Sequence, residues 1–368
     1  MDASASTLSA SRPADTSRPA PALARRYWDL DFLRIAGALG VILVHVCSRF
    51  QVDYTAANAE EFWLLNALNA LVRTAPALFV MVSGALLLRP RKQELPDFYR
   101  RRLHRVGIPL AFWTVLYLGL RWVAGQVKES NPLVFALHEV GVGEPFWHLY
   151  FLYILAGLYL VTPFLQRFIA AAGQRWALYL GCLCLGLASL DIVLQWALGA
   201  EIQMTALNRF APYLGFYVLG YVLYRHQDLK RHQGLAWALA AGGWALTAFG
   251  NGWMEAETGR ESIFFNYLFP GMAMEAVGLF MLIRMQFGHK RYPSATTGRV
   301  LNFVASASLG IYLIHPIFLE GLARLGYNSA QLSTAVGVPA LTLVTLLLSL
   351  VATAVMQRVP VLNHAVGN

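Results

Sequence analysis

Leu30-Asp-Phe-Leu-Arg-Ile-Ala-Gly-Ala-Leu-Gly-Val-Ile-Leu-Val-His-Val-Cys-Ser-Arg-Phe50 decides how the rest of the chain must be read. The run is apolar over the ~20 residues that an α-helix needs to cross a bilayer core. Yet it carries an arginine at position 34 and a histidine at position 45. At 100° per residue Arg34 and His45 fall within about 20° of each other after three turns, on one stripe and ~16 Å apart along the axis. Asp31, three residues before Arg34, is spaced to pair with it. A titratable group at membrane depth is costly and marks a functional site by default. Taken singly, Arg34 could snorkel to headgroups and His45 could make an interhelical hydrogen bond. Both on one stripe ask for a polar interior to receive them.

Outward from this helix, the 368 residues are 57% hydrophobic and only 13% charged. Soluble domains run near ~25% charged, so a soluble globular protein is excluded. Apolar runs of spanning length recur near 30–50, 64–88, 104–124, 146–166 and 176–198, then near 209–225, 234–250, 264–284, 300–320 and 336–357. The expected fold is an all-α integral membrane bundle of about ten transmembrane helices. Residues 1–26, rich in Ser, Ala, Pro and Arg, read as a disordered cytoplasmic tail, 27–358 as one transmembrane domain, and 359–368 as a short cytoplasmic tail.

The formal charge of +9 would suit a nucleic-acid binder, but position decides otherwise. Arg89, Arg91, Lys92, Arg100, Arg101, Arg102 and Arg105 share one loop side with Lys230, Arg231, Lys290 and Arg291. Glu60, Glu61, Glu139, Glu144 and Glu257 share the other. Short basic loops stay cytoplasmic, which places both termini inside and makes the excess topogenic. The three cysteines lie inside apolar runs and form no disulfide framework. No phosphate loop, zinc signature or nucleophile elbow occurs, and no metal is expected.

Other ionisable groups at membrane depth gather toward the outer half in this orientation. They are Arg73 in the second span, His148 opening the fourth, Glu275 in the eighth and His315 in the ninth. His148 lies in Pro145-Phe-Trp-His-Leu-Tyr, which also fits an aromatic interface belt. Pro316 follows His315 and removes one helical hydrogen bond there. On the inner side, Arg102 and Arg105 stand i,i+3 on one face, where guanidinium forks suit phosphate oxygens. Topogenesis alone accounts for a basic loop but not for that pair.

Together these pieces resemble the membrane acyltransferase-3 family, O-acyltransferases of surface polysaccharides. The resemblance runs from Asp29 to about Gln357. It rests on Leu30-Asp-Phe-Leu-Arg34 with His45, Phe79-Val-Met-Val-Ser-Gly84, Arg102-x-x-Arg105, Phe146-Trp-His-Leu-Tyr-Phe-Leu152, and Ser308-Leu-Gly-Ile-Tyr-Leu-Ile-His-Pro316. The chain looks most like the stand-alone type, similar to the O-acetyltransferase of enterobacterial common antigen. Two features depart from the usual pattern: many relatives carry a further carboxy-terminal hydrolase-like domain, and Ala85 stands where Phe often follows Ser-Gly. The resemblance implies acetyl-CoA or another acyl-CoA as cytoplasmic donor, held at Arg102 and Arg105. It implies a sugar hydroxyl of a glycan or lipid-linked intermediate as acceptor, with His148, His315, Glu275 and Arg73 near it. His45 would be general base or acyl-carrying nucleophile, and Arg34 would hold the donor or help place His45. A bacterial plasma membrane, its lipids and no nucleic acid are the implied surroundings. A glycan or lipid transporter, or an accessory subunit of a polysaccharide synthase, shares the helix count and polar interior. The lack of visible repeats weighs against the transporter.

Overall fold

A computed structural model describes residues 28–51, 54–90, 93–127, 131–200, 204–259, 262–288, 292, 294–327, 329 and 331–367. The expected tail at 1–26 lies outside the described residues, as do Arg91, Lys92, Lys290 and Arg291.

At the centre stands α1 (Trp28–Phe50), with Leu33, Ile42, Val46, Cys47 and Phe50 almost wholly buried. Around it pack α2 (Ala59–Val72) and α3 (Ala75–Leu87), and the late helices α10 (Pro270–Phe287), α11 (Ala295–Arg324) and α12 (Thr334–Met356). One ion pair ties the start of α1 to the end of α10: Arg284 Nη1 lies 3.2 Å from Asp29 Oδ2, and both side chains are buried. The remaining helices are α4 (Leu95–Arg102), α5 (Ile108–Val123), α6 (Pro132–Val142), α7 (Tyr150–Leu198), α8 (Leu214–Arg225) and α9 (Gln233–Thr258).

Among the described residues, seven helices are long and apolar enough to cross a membrane, where the sequence reading expects about ten. The difference has three sources. The expected fourth and fifth spans are the two helical halves of α7, which meet at a kink at Gly173, whose φ of 84° and ψ of 176° are not helical, so that together they count once among the seven. The expected sixth is α8, whose 12 residues rise only about 18 Å, well short of a ~30 Å core. The expected seventh, α9, has 26 residues but is too dilute in strongly apolar side chains.

The second expected span bends between α2 and α3 at Arg73-Thr74, with Pro76 in the first turn of α3. In α3, Gly84 lets the backbone meet that of α8: a Cβ there would stand 1.8 Å from the Tyr217 carbonyl oxygen. That close crossing explains the Ser83-Gly84 pair in packing terms. The third span starts earlier than expected, because α4 continues into α5 through one π-helical turn, Leu103–Gly107. The chain from 359 onward does not run free of the bundle. Its short 3-10 turn, His364–Val366, packs against α5 and α11, with Ala365 and Val366 buried.

Candidate functional site

Three cavities follow one another through shared walls, the first two beside α1. The first, of about 270 Å³, lies at the Arg34 end and is lined by Arg34, Arg102, Arg105, Ser83, Tyr159, Ser308 and Tyr312, with apolar walls from α3 and α7. The second, of about 130 Å³, surrounds His45 with Trp147, His148, Tyr150, Tyr267 and Tyr312. The third is a groove of about 820 Å³ lined by Trp147, Arg121, Glu139, Glu144, Glu320 and Arg324 among others. Tyr312 lines both the first and the second. Trp147 lines both the second and the third.

In the first cavity positive charge outweighs negative. Arg34 Nη1 is 3.3 Å from Asp31 Oδ1, the pairing expected from their spacing. Asp31 in turn accepts a hydrogen bond from the Tyr292 hydroxyl at 2.5 Å, so the carboxylate holding Arg34 is itself held from beyond α10. Neither Arg102 nor Arg105 has an ion-pair partner among the described residues. The buried Nε of Arg102 has no hydrogen-bond partner there either. Its guanidinium stands 5.6 Å from the Phe98 ring and 5.7 Å from the Tyr159 ring, which fixes the arm while leaving the fork to a ligand. Three guanidiniums against one carboxylate make a site for a polyanion.

Histidines make up the core of the second. The rings of His45 and His315 are stacked with centroids 5.5 Å apart, and His148 stands edge-on to His315 at the same separation. Trp147 covers His45 at 4.0 Å. His148 and His315 are fully buried, at 1% and 0% exposure. The arrangement of His315 follows from the residue after it. Pro316 has no N–H to give to the carbonyl of Tyr312, four residues back. His315 Nδ1 takes that carbonyl instead, at 2.7 Å. A carbonyl can only accept, so Nδ1 carries the proton and Nε2, which has no partner among the described residues, is left as the basic nitrogen. Tyr312 is held as well: its hydroxyl donates to the His148 carbonyl.

Two arginines fasten the segment that presents Trp147 and His148. Arg121 Nη1 reaches the Pro145 carbonyl at 3.0 Å and Glu139 at 2.5 Å. Arg209 reaches Glu144 at 2.7 Å and the Val142 carbonyl at 2.8 Å. Across the groove, Arg49 at the end of α1 pairs with Glu320 of α11.

Of the residues singled out from the sequence, Arg34, Arg102 and Arg105 share one cavity, while His45 and His148 line the next with His315 packed against their rings. Arg73 is not brought into that lining. It sits at the α2–α3 bend, its Nε donating to the Phe265 carbonyl at 2.8 Å, with its guanidinium 5.4 Å from the ring of the lining residue Tyr267. Glu275 lines none of the three cavities. It is wholly buried where α10 crosses α9, its backbone directly facing Gly243. Sequence reasoning passed over Trp147 and Tyr312 as chemistry-bearing residues. The signal was present, since both belong to short motifs that also hold a histidine.

A family model described as an acyltransferase domain matches residues 27–354. No curated protein and no solved structure matches the chain.

Proposed function

Because the chain belongs to the membrane acyltransferase-3 family, we propose that it moves an acetyl or other acyl group from cytoplasmic acyl-CoA to a sugar hydroxyl of a surface polysaccharide or lipid-linked glycan. The observation that carries this reading is the succession of cavities: arginines first, histidines in the middle, a polar and aromatic groove last, with Tyr312 and Trp147 as shared walls. In this reading both termini lie on the cytoplasmic side, and a bacterial plasma membrane is its place.

Each cavity then has a task. Arg102 and Arg105, with Arg34 deeper, bind the phosphate groups of the donor and orient its acyl-bearing arm along α1. The ~16 Å between Arg34 and His45 is bridged by the donor's arm, not by a side chain. The groove beyond Trp147 takes the acceptor, with Trp147 offering a flat aromatic face and the carboxylates and guanidiniums offering hydrogen bonds to hydroxyls. His45 removes the proton of the attacking hydroxyl as its oxygen bonds to the acyl carbon; the carbon–sulfur bond breaks and the thiolate leaves. His315 and His148 hold the His45 ring in place. Burial away from water keeps the acyl group from hydrolysis.

The test is incubation of purified protein in nanodiscs with labelled acetyl-CoA and a glycan extract of bacterial envelopes. CoA release that depends on the extract, with label passing to glycan, is expected. Intact acetyl-CoA after prolonged incubation with folded protein would instead favour a non-catalytic transporter or accessory subunit.

A further inference from the structure

The turn that carries Arg105 into the arginine-lined cavity is backed by chain from beyond α12. After α12 the chain turns back, and the segment His364–Val366 with Gly367 lies against the π-helical turn Leu103–Gly107 and against α11. The indole Nε1 of Trp113, itself only 1% exposed, donates to the Ala365 carbonyl at 2.8 Å. Ala365 and Val366 are each 2% exposed, and the rings of His364 and His104 are 6.0 Å apart. Gly367 is the tightest contact. Its φ is +72°, and a Cβ there would stand 2.6 Å from Leu309 Cδ2 and 2.9 Å from the Arg105 carbonyl oxygen. Leu309 and Arg105 both line the cavity.

The turn being touched is the one that carries Arg105. A π-helical turn has one residue more than an α-turn, so the side chains it presents are offset from the faces of the helices on either side, and such turns gather at functional sites. Here the turn packs against α7 and against this returning segment. We propose that residues 364–367 form a positioning strap, which holds the π-helical turn so that Arg105 and Arg102 aim into the cavity at the donor's phosphates. The inference rests on the reading of that cavity as the acyl-CoA site and adds a residue set to it. Gly367 and Trp113 touch no substrate; they act through Arg105.

Two substitutions reach the strap from opposite directions. Gly367→Ala forces a Cβ into the Arg105 carbonyl at a backbone angle that L side chains avoid. The Leu309 side chain can turn aside, whereas the carbonyl can yield only by moving the turn. Trp113→Phe keeps the aromatic packing and removes the hydrogen bond to Ala365. Binding of coenzyme A itself is measured by calorimetry on the full chain in nanodiscs, alongside donor KM, kcat and thermal stability. Both variants are expected to weaken CoA binding and raise donor KM by about fivefold or more, with kcat within about twofold of the unaltered protein. If Gly367→Ala does not fold, Trp113→Phe decides alone. Lower thermal stability with unchanged CoA affinity would make the segment a structural plug and overturn the inference by itself. Failure of the unaltered protein to bind CoA would overturn the donor reading, and the strap's role with it.

Discussion

In the proposed reading His45 carries the chemistry at the scale of single residues, with His148 and His315 holding its ring. A positioned general base contributes roughly 10²–10⁴-fold to a rate. His45→Asn, which keeps size and hydrogen bonding, is therefore expected to lower acyl transfer by at least about 10²-fold while CoA binding and thermal stability stay near those of the unaltered protein. A histidine that only packs would show the reverse, with stability lost and turnover per folded molecule kept. Pro316 gives a second residue-scale test. Pro316→Ala supplies an N–H aimed at the Tyr312 carbonyl, in competition with His315 Nδ1. Transfer should fall about tenfold, the ~1.4 kcal/mol of one hydrogen bond. Nitrogen-15 spectra of labelled histidine should show His315 moving from one tautomer toward a mixture.

Helices and their junctions set where those residues stand, and here the sequence was readable only in part. The stripe of Arg34 and His45 was legible because helical geometry fixes directions within one element, and the Asp31–Arg34 pair followed from the same spacing. The wall shared by two cavities at Tyr312 was not, because it depends on α11 meeting α1 and α7, which no period within a helix encodes. Glu275 shows the same limit from the other side. Its depth in α10 suggested the site, whereas its backbone packs on Gly243 of α9 and it lines none of the three cavities. The returning segment after α12 read as a tail because ten residues of mixed polarity give no sign of what they pack on. Two predictions belong to this scale. Changing Arg102 and Arg105 together to Gln should raise donor KM with kcat little changed, and added salt should mimic the effect at the exposed Arg105. Asp29→Ala removes the buried carboxylate that Arg284 faces at the α1–α10 junction, where losing one partner of a buried pair costs about 3–5 kcal/mol, so the melting temperature should drop sharply.

For the whole molecule, composition and charge placement announced a helical membrane protein, and the bundle agrees. The count of spans did not follow as readily, since the 12-residue α8 and the weakly apolar α9 read as ordinary spans from hydropathy, whereas the two halves of α7 on either side of Gly173 correspond to two of the expected spans. Orientation carries the functional claim, because in the proposed reading the arginine cavity faces a cytoplasmic donor and the groove beyond Trp147 faces the acceptor. Cysteines placed at the exposed positions Arg100 and Lys230 should react with impermeant reagents from the cytoplasmic face, and those at Glu60 and Glu257 from the outer face. The central claim is that the acyl group enters at the first and leaves at the second. Proteoliposomes of one orientation, fixed by the Lys230 label, are given acetyl-CoA on one face at a time with glycan extract on both, and CoA release is followed. Release only when acetyl-CoA is on the Arg100 face, abolished by His45→Asn, is the predicted result. Equal release from either face, or release that His45→Asn leaves intact, would contradict it.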